Sequence, residues 1–339
     1  MTIKVFEAFA GIGTQRMALE RSGIDHETVA ISEIDKYALA SYEAIHGPTK
    51  NLGDISKIDI KDVPDHDLFI YSFPCTDISL AGQLQGLKKG SGTRSSLLWE
   101  CERIIEAKRP KYLLMENVKN LVSKRFKGHF KAWLELLEGL GYTNYWDILN
   151  AKDYGIPQNR ERVFCISIHG EEGFSFPDKK ELTIFLKDLL EEEAEDKYFL
   201  TEDQEEKIKF KQDEYNNKKQ VLIKNATKKG YLVARPGDGI DLLYPKSQTR
   251  RGRVQKGLAH TLDTKDSKGV LIDDHGKLRI RKLTAKECWR LMGIRDEDFD
   301  KAKKTSSDIQ LYKQAGNAIV VNVLKAIFKN LFKEKRSEK

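Results

Sequence analysis

The N-terminal half of the chain alternates short β-favouring apolar runs with segments of helical period, and few architectures accommodate that alternation. Residues 3–9 form an apolar run that enters Ala10-Gly11-Ile12-Gly13-Thr14, and residues 14–23 read as a helix closed by Gly23. Residues 26–32 are a second strand, ending in Glu33-Ile34-Asp35, with Asp35 placed to cap the helix over 36–47. The pattern continues through a strand at 67–73, a helix at 97–107 and a strand at 111–115, then segments 130–140, 145–149 and 162–168. This order predicts an α/β fold, a doubly wound sheet whose ligands sit outside the carboxyl ends of its strands.

A chain of 339 residues can bury one large domain, or a large domain carrying a smaller one. Its 59 Lys and Arg against 52 Asp and Glu give +7, an excess compatible with a polyanionic partner. No secretory segment and no run of eighteen apolar residues is present, so the expectation is a soluble, cytoplasmic protein without a membrane partner. Cys75, Cys101, Cys165 and Cys288 are far apart and form no C-x-x-C pair, which predicts neither a metal site nor a disulfide framework.

Near Gly170 the composition shifts. Residues 178–220 are densely charged and mostly helix-compatible, the pattern of a solvated connector. Residues 222–278 are richer in Gly, Arg and β-branched residues, as expected of a separate small domain of short strands and loops. A helical period started by Thr284 follows at 283–293, and 318–332 predicts an apolar-faced final helix.

Gly11-x-Gly13 after the first strand, with Glu33 at the end of the next, is the layout of an adenosine-binding site whose carboxylate accepts from ribose hydroxyls. Alone, the glycine pair is as compatible with a plain tight turn. A dinucleotide site has a third glycine where Arg16 stands, which disfavours NAD and suits a nucleoside cofactor without phosphates. Asp54, in Gly53-Asp54-Ile55, is placed to accept from an adenine amino group.

The run ending Phe73-Pro74-Cys75 stops at the proline and presents a thiol. A cysteine there is ordinarily a small buried hydrophobe. Here a polar loop rich in glycine follows at 81–96, and Glu116-Asn117 ends the strand at 111–115, so a carboxyl group and the thiol face one crevice. No histidine adjoins Cys75, against a Cys-His hydrolase. A thiol with an acid suits conjugate addition to cytosine: the thiolate adds at C6, protonation at N3 favours that addition, and C5 becomes enamine-like. A nearby cation lowers the thiol pKa, and Gln158-Asn159-Arg160-Glu161-Arg162 offers candidates.

With FAGIG at 9–13, EID at 33–35, GDI at 53–55, FPC at 73–75, ENV at 116–118, QNRER at 158–162, RKLTAKECWRLMG at 281–293 and QAGNAI at 314–319, the chain resembles the DNA cytosine-5 methyltransferases, in the family's motif order. The resemblance implies a Rossmann-like methyltransferase sheet over residues 1–175 plus 314–339 and a smaller, irregular β-rich target-recognition domain over 176–282. Residues 283–313 would be a hinge. It implies S-adenosylmethionine as cofactor, held by Phe9, Gly11, Gly13, Glu33, Ile34, Asp54, Ile55, Pro74, Leu97, Asn317 and Ala318. Cys75 matches the nucleophile, Glu116 the residue protonating N3, and Arg160 and Arg162 the arginines holding the base and its surroundings.

Two positions depart from the family pattern: Thr76 stands where glutamine is usual, and Ile34 where an aromatic is frequent. The acid-free stretch 242–262 carries Arg250, Arg251, Arg253 and Lys256, a solvated surface in isolation but the best candidate for phosphate and base contacts in a duplex-binding enzyme. Thr261-Leu262 resembles a Thr-Leu pair of the family's recognition domain, and Thr76, Ser79 and Gln83 fall in the loop expected to close on DNA. The reading is a monomeric enzyme that methylates C5 of a flipped cytosine in double-stranded DNA, in the setting of a restriction endonuclease system. The same chemistry on tRNA and a non-catalytic DNA-binding relative are the alternatives.

Overall fold

The computed structural model describes residues 2–74, 94–170, 172–210 and 219–333. In chain order these form β1 (Ile3–Ala8), α1 (Thr14–Ser22), β2 (His26–Ser32), α2 (Lys36–His46), β3 (Leu68–Tyr71), α3 (Leu98–Lys108), β4 (Tyr112–Val118), α4 (Lys127–Gly139), β5 (Tyr142–Asn150), β6 (Gln158–Asn159) and β7 (Glu161–His169). There follow α5 (Glu202–Ile208), β8 (Val221–Lys224), β9 (Tyr231–Ala234), β10 (Gly239–Asp241), β11 (Val254–Gln255), β12 (Ala259–His260), β13 (Lys268–Asp274) and β14 (Lys277–Lys282). The last elements are α6 (Ala285–Arg290), α7 (Asp296–Lys303), α8 (Asp308–Asn317) and α9 (Val321–Leu331). The described residues of 1–150, 161–179 and 319–339 make one compact unit, and those of 151–160 and 180–318 a second. Among the described residues no helix is long and apolar enough to cross a membrane.

In the first unit the described strands form one sheet in the order β2-β1-β3-β4-β7-β5. The first four are parallel, and β3 and β4 are buried almost end to end, as strands covered on both faces must be. One face packs Phe6, Phe69, Tyr71, Leu113 and Met115 against Ile104, Ile105 and Trp133. The α/β expectation holds, and the sheet is mixed, with β7 antiparallel to both β4 and β5. The connection over 151–160 is too short for the crossover of a dozen or more residues that a parallel return needs.

Register sets the site. β1 ends with Ala8 beside Tyr71, and β3 with Tyr71 beside Met115, so these residues stand level at the carboxyl edge. β4 continues past that edge because β7 still pairs with it, Glu116 against Phe164 and Val118 against Arg162. Glu116 and Asn117 therefore lie within the strand, not after it, held rigidly by a partner that hydropathy alone does not reveal.

In the second unit β11-β10-β13-β14 form an antiparallel sheet, β8 pairs with β9, and β12 pairs with β6. Ile208, Val221, Ile223, Ala234, Ile240, Leu271 and Ile280 fill its core. The described part of 178–220 departs from expectation. It holds one α-helix, α5, and short 3-10 turns at Leu186–Leu189 and Asp196–Tyr198. Helix-compatible composition without a continuous apolar stripe has nothing to dock, and a short helix is marginal unaided. α6 begins in a capping box in which Thr284 accepts from the Glu287 amide and Glu287 from that of Thr284. The buried Glu287 carboxylate also pairs bidentately with Arg281 at 2.6 and 2.8 Å. α8 carries the QAGN segment, and a Cβ on Gly316 would stand 2.3 Å from the Asp263 carbonyl, so only glycine lets helix and loop approach this closely. Residues 314–318 thus fall in the second unit, while α9 returns to the first and packs on α1.

Candidate active site

At the end of β1 the backbone enters the left-handed region three times, at Phe9 (φ 54°), Gly11 (φ 59°) and Gly13 (φ 76°). The two glycines serve different ends. A Cβ on Gly13 would meet His46 Nε2 at 2.5 Å and Tyr42 Cε2 at 2.6 Å, whereas one on Gly11 would meet nothing among the described residues within 4 Å. Gly13 lets the turn settle on α2, and Gly11 leaves an open approach to bare backbone.

Glu33 binds that turn to the end of β2. Its Oε2 accepts from the Gly11 amide at 2.8 Å, and its Oε1 from the amides of Ile34 and Asp35 at 2.9 and 2.7 Å. Asn51, which the sequence reading missed, fastens the next turn to this one: its Oδ1 accepts from the amides of Glu33 and Gly53, and its Nδ2 donates to the Glu33 carbonyl. Its position between two recognised turns was the only sequence signal. Ile34 is 74% exposed beside these groups, an apolar surface with no core to fill. Asp54 caps the following turn through Ser56, whose hydroxyl at 2.7 Å is the main cause holding the carboxyl below its usual range. Ile55 is buried, and Leu97 packs against the same core. Asn317 and Ala318 lie in the second unit.

Beneath the turn, Glu7 on β1 is fully buried. Its Oε2 accepts from Tyr42 at 3.3 Å, its Oε1 has no hydrogen-bond partner among the described residues, and desolvation pushes its pKa up to about 7 against the lowering effect of Arg16.

At the β3–β4 edge, Asn117 donates from Nδ2 to the Phe73 carbonyl at 2.9 Å and accepts at Oδ1 from the Val118 amide. It thereby fixes the backbone immediately before Pro74. The sequence reading singled out its neighbour Glu116 and assigned Asn117 no task. Glu116 is largely buried, with Arg162 Nε 3.2 Å from its Oε1. Cys75, Thr76, Ser79 and Gln83 lie outside the described residues. The other three cysteines are buried, and burial raises their thiol pKa values, that of Cys165 to about 12, which disfavours the thiolate.

Arg160, expected beside Arg162, is placed otherwise. Its guanidinium is buried and donates to the carbonyls of Leu262, Gly316 and Ala318 at 3.1, 2.9 and 3.0 Å. Thr261 donates to the Asn159 carbonyl at 2.6 Å, and the Leu262 amide to Gln158 Oε1 at 3.0 Å. Thr261-Leu262 and Gln158-Asn159-Arg160 are therefore one hydrogen-bonded structure inside the second unit, with the Leu262 side chain buried away from any ligand surface. Arg253 is likewise not on the surface. It is 1% exposed, donating to backbone carbonyls of the loop it had been expected to decorate. Arg250 pairs with Asp241, while Arg251 and Lys256 remain exposed, with Lys256 reaching Asp238 at 2.9 Å. A basic run in sequence thus separates into two internal braces and two surface cations.

An open glycine turn, a carboxylate at the next strand end and no third glycine fit an α/β enzyme with a nucleoside cofactor. The model of the C-5 cytosine-specific DNA methylase family matches residues 3–333, and the chain belongs to that family. It is a DNA cytosine-5 methyltransferase and, as the family implies, uses S-adenosylmethionine. It is 43% identical to the type II methyltransferase M2.ScrFI of Lactococcus lactis subsp. cremoris, across 98% of this chain and 99% of that one. It is 34% identical to the type II methyltransferase M.HhaI of Haemophilus parahaemolyticus, across 97% and 94%. The orphan methyltransferase M.SPBetaI of Bacillus phage SPbeta is 30% identical, across 97% of each. The S. pombe Dnmt2 methyltransferase structure shares the fold with a TM-score of 0.68 at 19% identity, covering 98% of this chain and 99% of that one.

Proposed function

We propose that the enzyme methylates C5 of a cytosine turned out of a specific double-stranded DNA sequence, through a covalent bond between Cys75 and C6. The observation that carries this reading is the edge shared by Glu116, Arg162 and the Phe73 carbonyl: an acid, its cation and the anchored backbone leading to Pro74. Cys75 as thiolate adds to C6, Glu116 supplies a proton at N3, and the electron pair displaced towards C5 makes that carbon nucleophilic. Once C5 carries the methyl group that the cofactor would supply, its hydrogen leaves as a proton to solvent, and return of the N3 proton to the Glu116 carboxylate as the thiolate departs restores the aromatic ring. Arg162 orients the Glu116 carboxyl and stabilises charge on the base.

S-adenosylmethionine, when bound, supplies an electrophilic methyl group. The residues present fit it: Gly11 gives bare backbone and open space, Glu33 offers a carboxylate to ribose hydroxyls, and exposed Ile34 offers an apolar platform to the adenine. In this reading residues 1–175 with 314–339 serve catalysis, 176–282 target recognition and 283–313 the hinge. Arg160 acts as a positioning residue within the second unit, and Arg251 and Lys256 as its phosphate contacts.

Expression in a methylation-free host followed by bisulfite mapping tests the reading. Methylated cytosines should appear in one sequence context and disappear with Cys75→Ala. Unmodified DNA from the parent protein, or methylation of RNA alone, would overturn it.

A further inference from the structure

We propose that Tyr244 sets its ring against base edges in the groove of the target duplex and contributes to sequence discrimination. This rests on the duplex-DNA reading above. Tyr244 is 67% exposed and has φ 51°, a left-handed conformation that a bulky residue adopts only under constraint from its surroundings. Of the other non-glycine residues sharing it, Arg109 closes α3 and His275 forms the tip of the β13–β14 turn, where such a conformation is ordinary. Phe9 lies in the cofactor turn.

The constraint on Tyr244 is Arg253. From beneath the loop its Nη1 donates to the carbonyls of Asp241 and Leu243 at 3.2 and 3.1 Å, and its Nη2 to that of Tyr244 at 2.7 Å. The Ser247 amide donates to the same Tyr244 carbonyl at 2.9 Å. Asp241 is itself held by Arg250 and by the largely buried Lys268. A buried guanidinium thus holds a strained loop on which the Tyr244 ring stands exposed to solvent.

Folding alone would be served by glycine at position 244, with no ring exposed to solvent. The loop instead presents a flat aromatic face in a segment whose Lys246 and Arg251 are also exposed, a combination that suits nucleic acid: cations take phosphates, and an apolar ring meets base edges in the groove. Phosphate contacts are indifferent to sequence, whereas an apolar ring against base edges meets a thymine methyl differently from the other bases.

The test uses the full-length protein, a fluorescein-labelled duplex carrying the sequence found by bisulfite mapping, and an unrelated duplex of equal length. Tyr244→Gly relieves the left-handed strain, so its unfolding midpoint should equal or exceed the parent's. Its affinity for the target duplex should nevertheless fall roughly tenfold, with affinity for the unrelated duplex unchanged. Tyr244→Phe, which keeps the ring, should stay within about threefold of the parent. A Gly variant that binds and discriminates like the parent overturns the inference and leaves the DNA reading standing. Equal loss on both duplexes also overturns it, by making the residue a general support. A parent protein that binds neither duplex overturns the DNA reading and this inference with it.

Discussion

Glu116 and Arg162 meet at 3.2 Å because the antiparallel register of β4 with β7 sets Phe164 opposite Glu116 and Val118 opposite Arg162, which puts both charged side chains on one face. Arg160, two residues earlier, leaves the sheet and spends its guanidinium on three carbonyls of the second unit. One motif therefore contains an arginine paired with the buried Glu116 carboxyl and an arginine that braces backbone carbonyls.

Alanine substitution should separate them. Arg162→Ala should lower kcat/KM by roughly a hundredfold with little change in the unfolding midpoint, since the residue lies at the edge and not in the core. Arg160→Ala strips donors from buried carbonyls and should cost about 3 kcal/mol of stability, measured by denaturant unfolding. Equal midpoints for the two variants would refute the division.

The glycine turn makes a second contrast. Both Gly11 and Gly13 have positive φ, so alanine at either carries strain of about 1 kcal/mol or more. Gly13→Ala adds contacts of 2.5 and 2.6 Å with His46 and Tyr42 and should visibly destabilise the fold. Gly11→Ala meets nothing among the described residues, and its larger effect should appear in calorimetric titration with S-adenosylmethionine, as weakened binding by a protein that remains folded.

Glu7 predicts a pH dependence of stability. Its pKa rises from 4.5 to about 7, chiefly by desolvation, so the folded state retains a proton that the unfolded state has lost between those values. Stability from this group is whole below pH 4.5, declines as pH rises through the window, and levels off above about pH 7, a change of roughly 3 kcal/mol. Glu7→Gln should remove that decline and be the more stable protein at pH 8. A parallel pH profile for parent and variant would place the carboxyl in contact with water.

Local chemistry made much of this molecule legible. Asp35 caps α2 through the amides of Tyr37 and Ala38, Gly23 closes α1 in the left-handed conformation, and Thr284 opens α6, each as its residue type demands. What the chain did not disclose depends on distant pairing. The direction of β7 follows from a connection length, and the reach of β4 to Val118 from a strand some forty residues later. Arg253 read as a DNA contact and Arg160 as an arginine holding the base because nothing local distinguishes an arginine facing a ligand from one facing buried carbonyls. Asn117 and Asn51 escaped notice for the same reason: an amide's value as a link lies in the two turns it joins.

The central claim is the covalent bond between Cys75 and cytosine C6, and trapping it is the most direct measurement. A duplex carrying 5-fluorocytosine at the mapped position has no C5 hydrogen to lose, so after methyl transfer the thiolate cannot depart. With S-adenosylmethionine present, the parent protein should shift to a DNA-linked band on a denaturing gel, and Cys75→Ala should not. A Cys75→Ala protein that still forms the band, or a parent that methylates the natural duplex yet never forms it, would contradict the account.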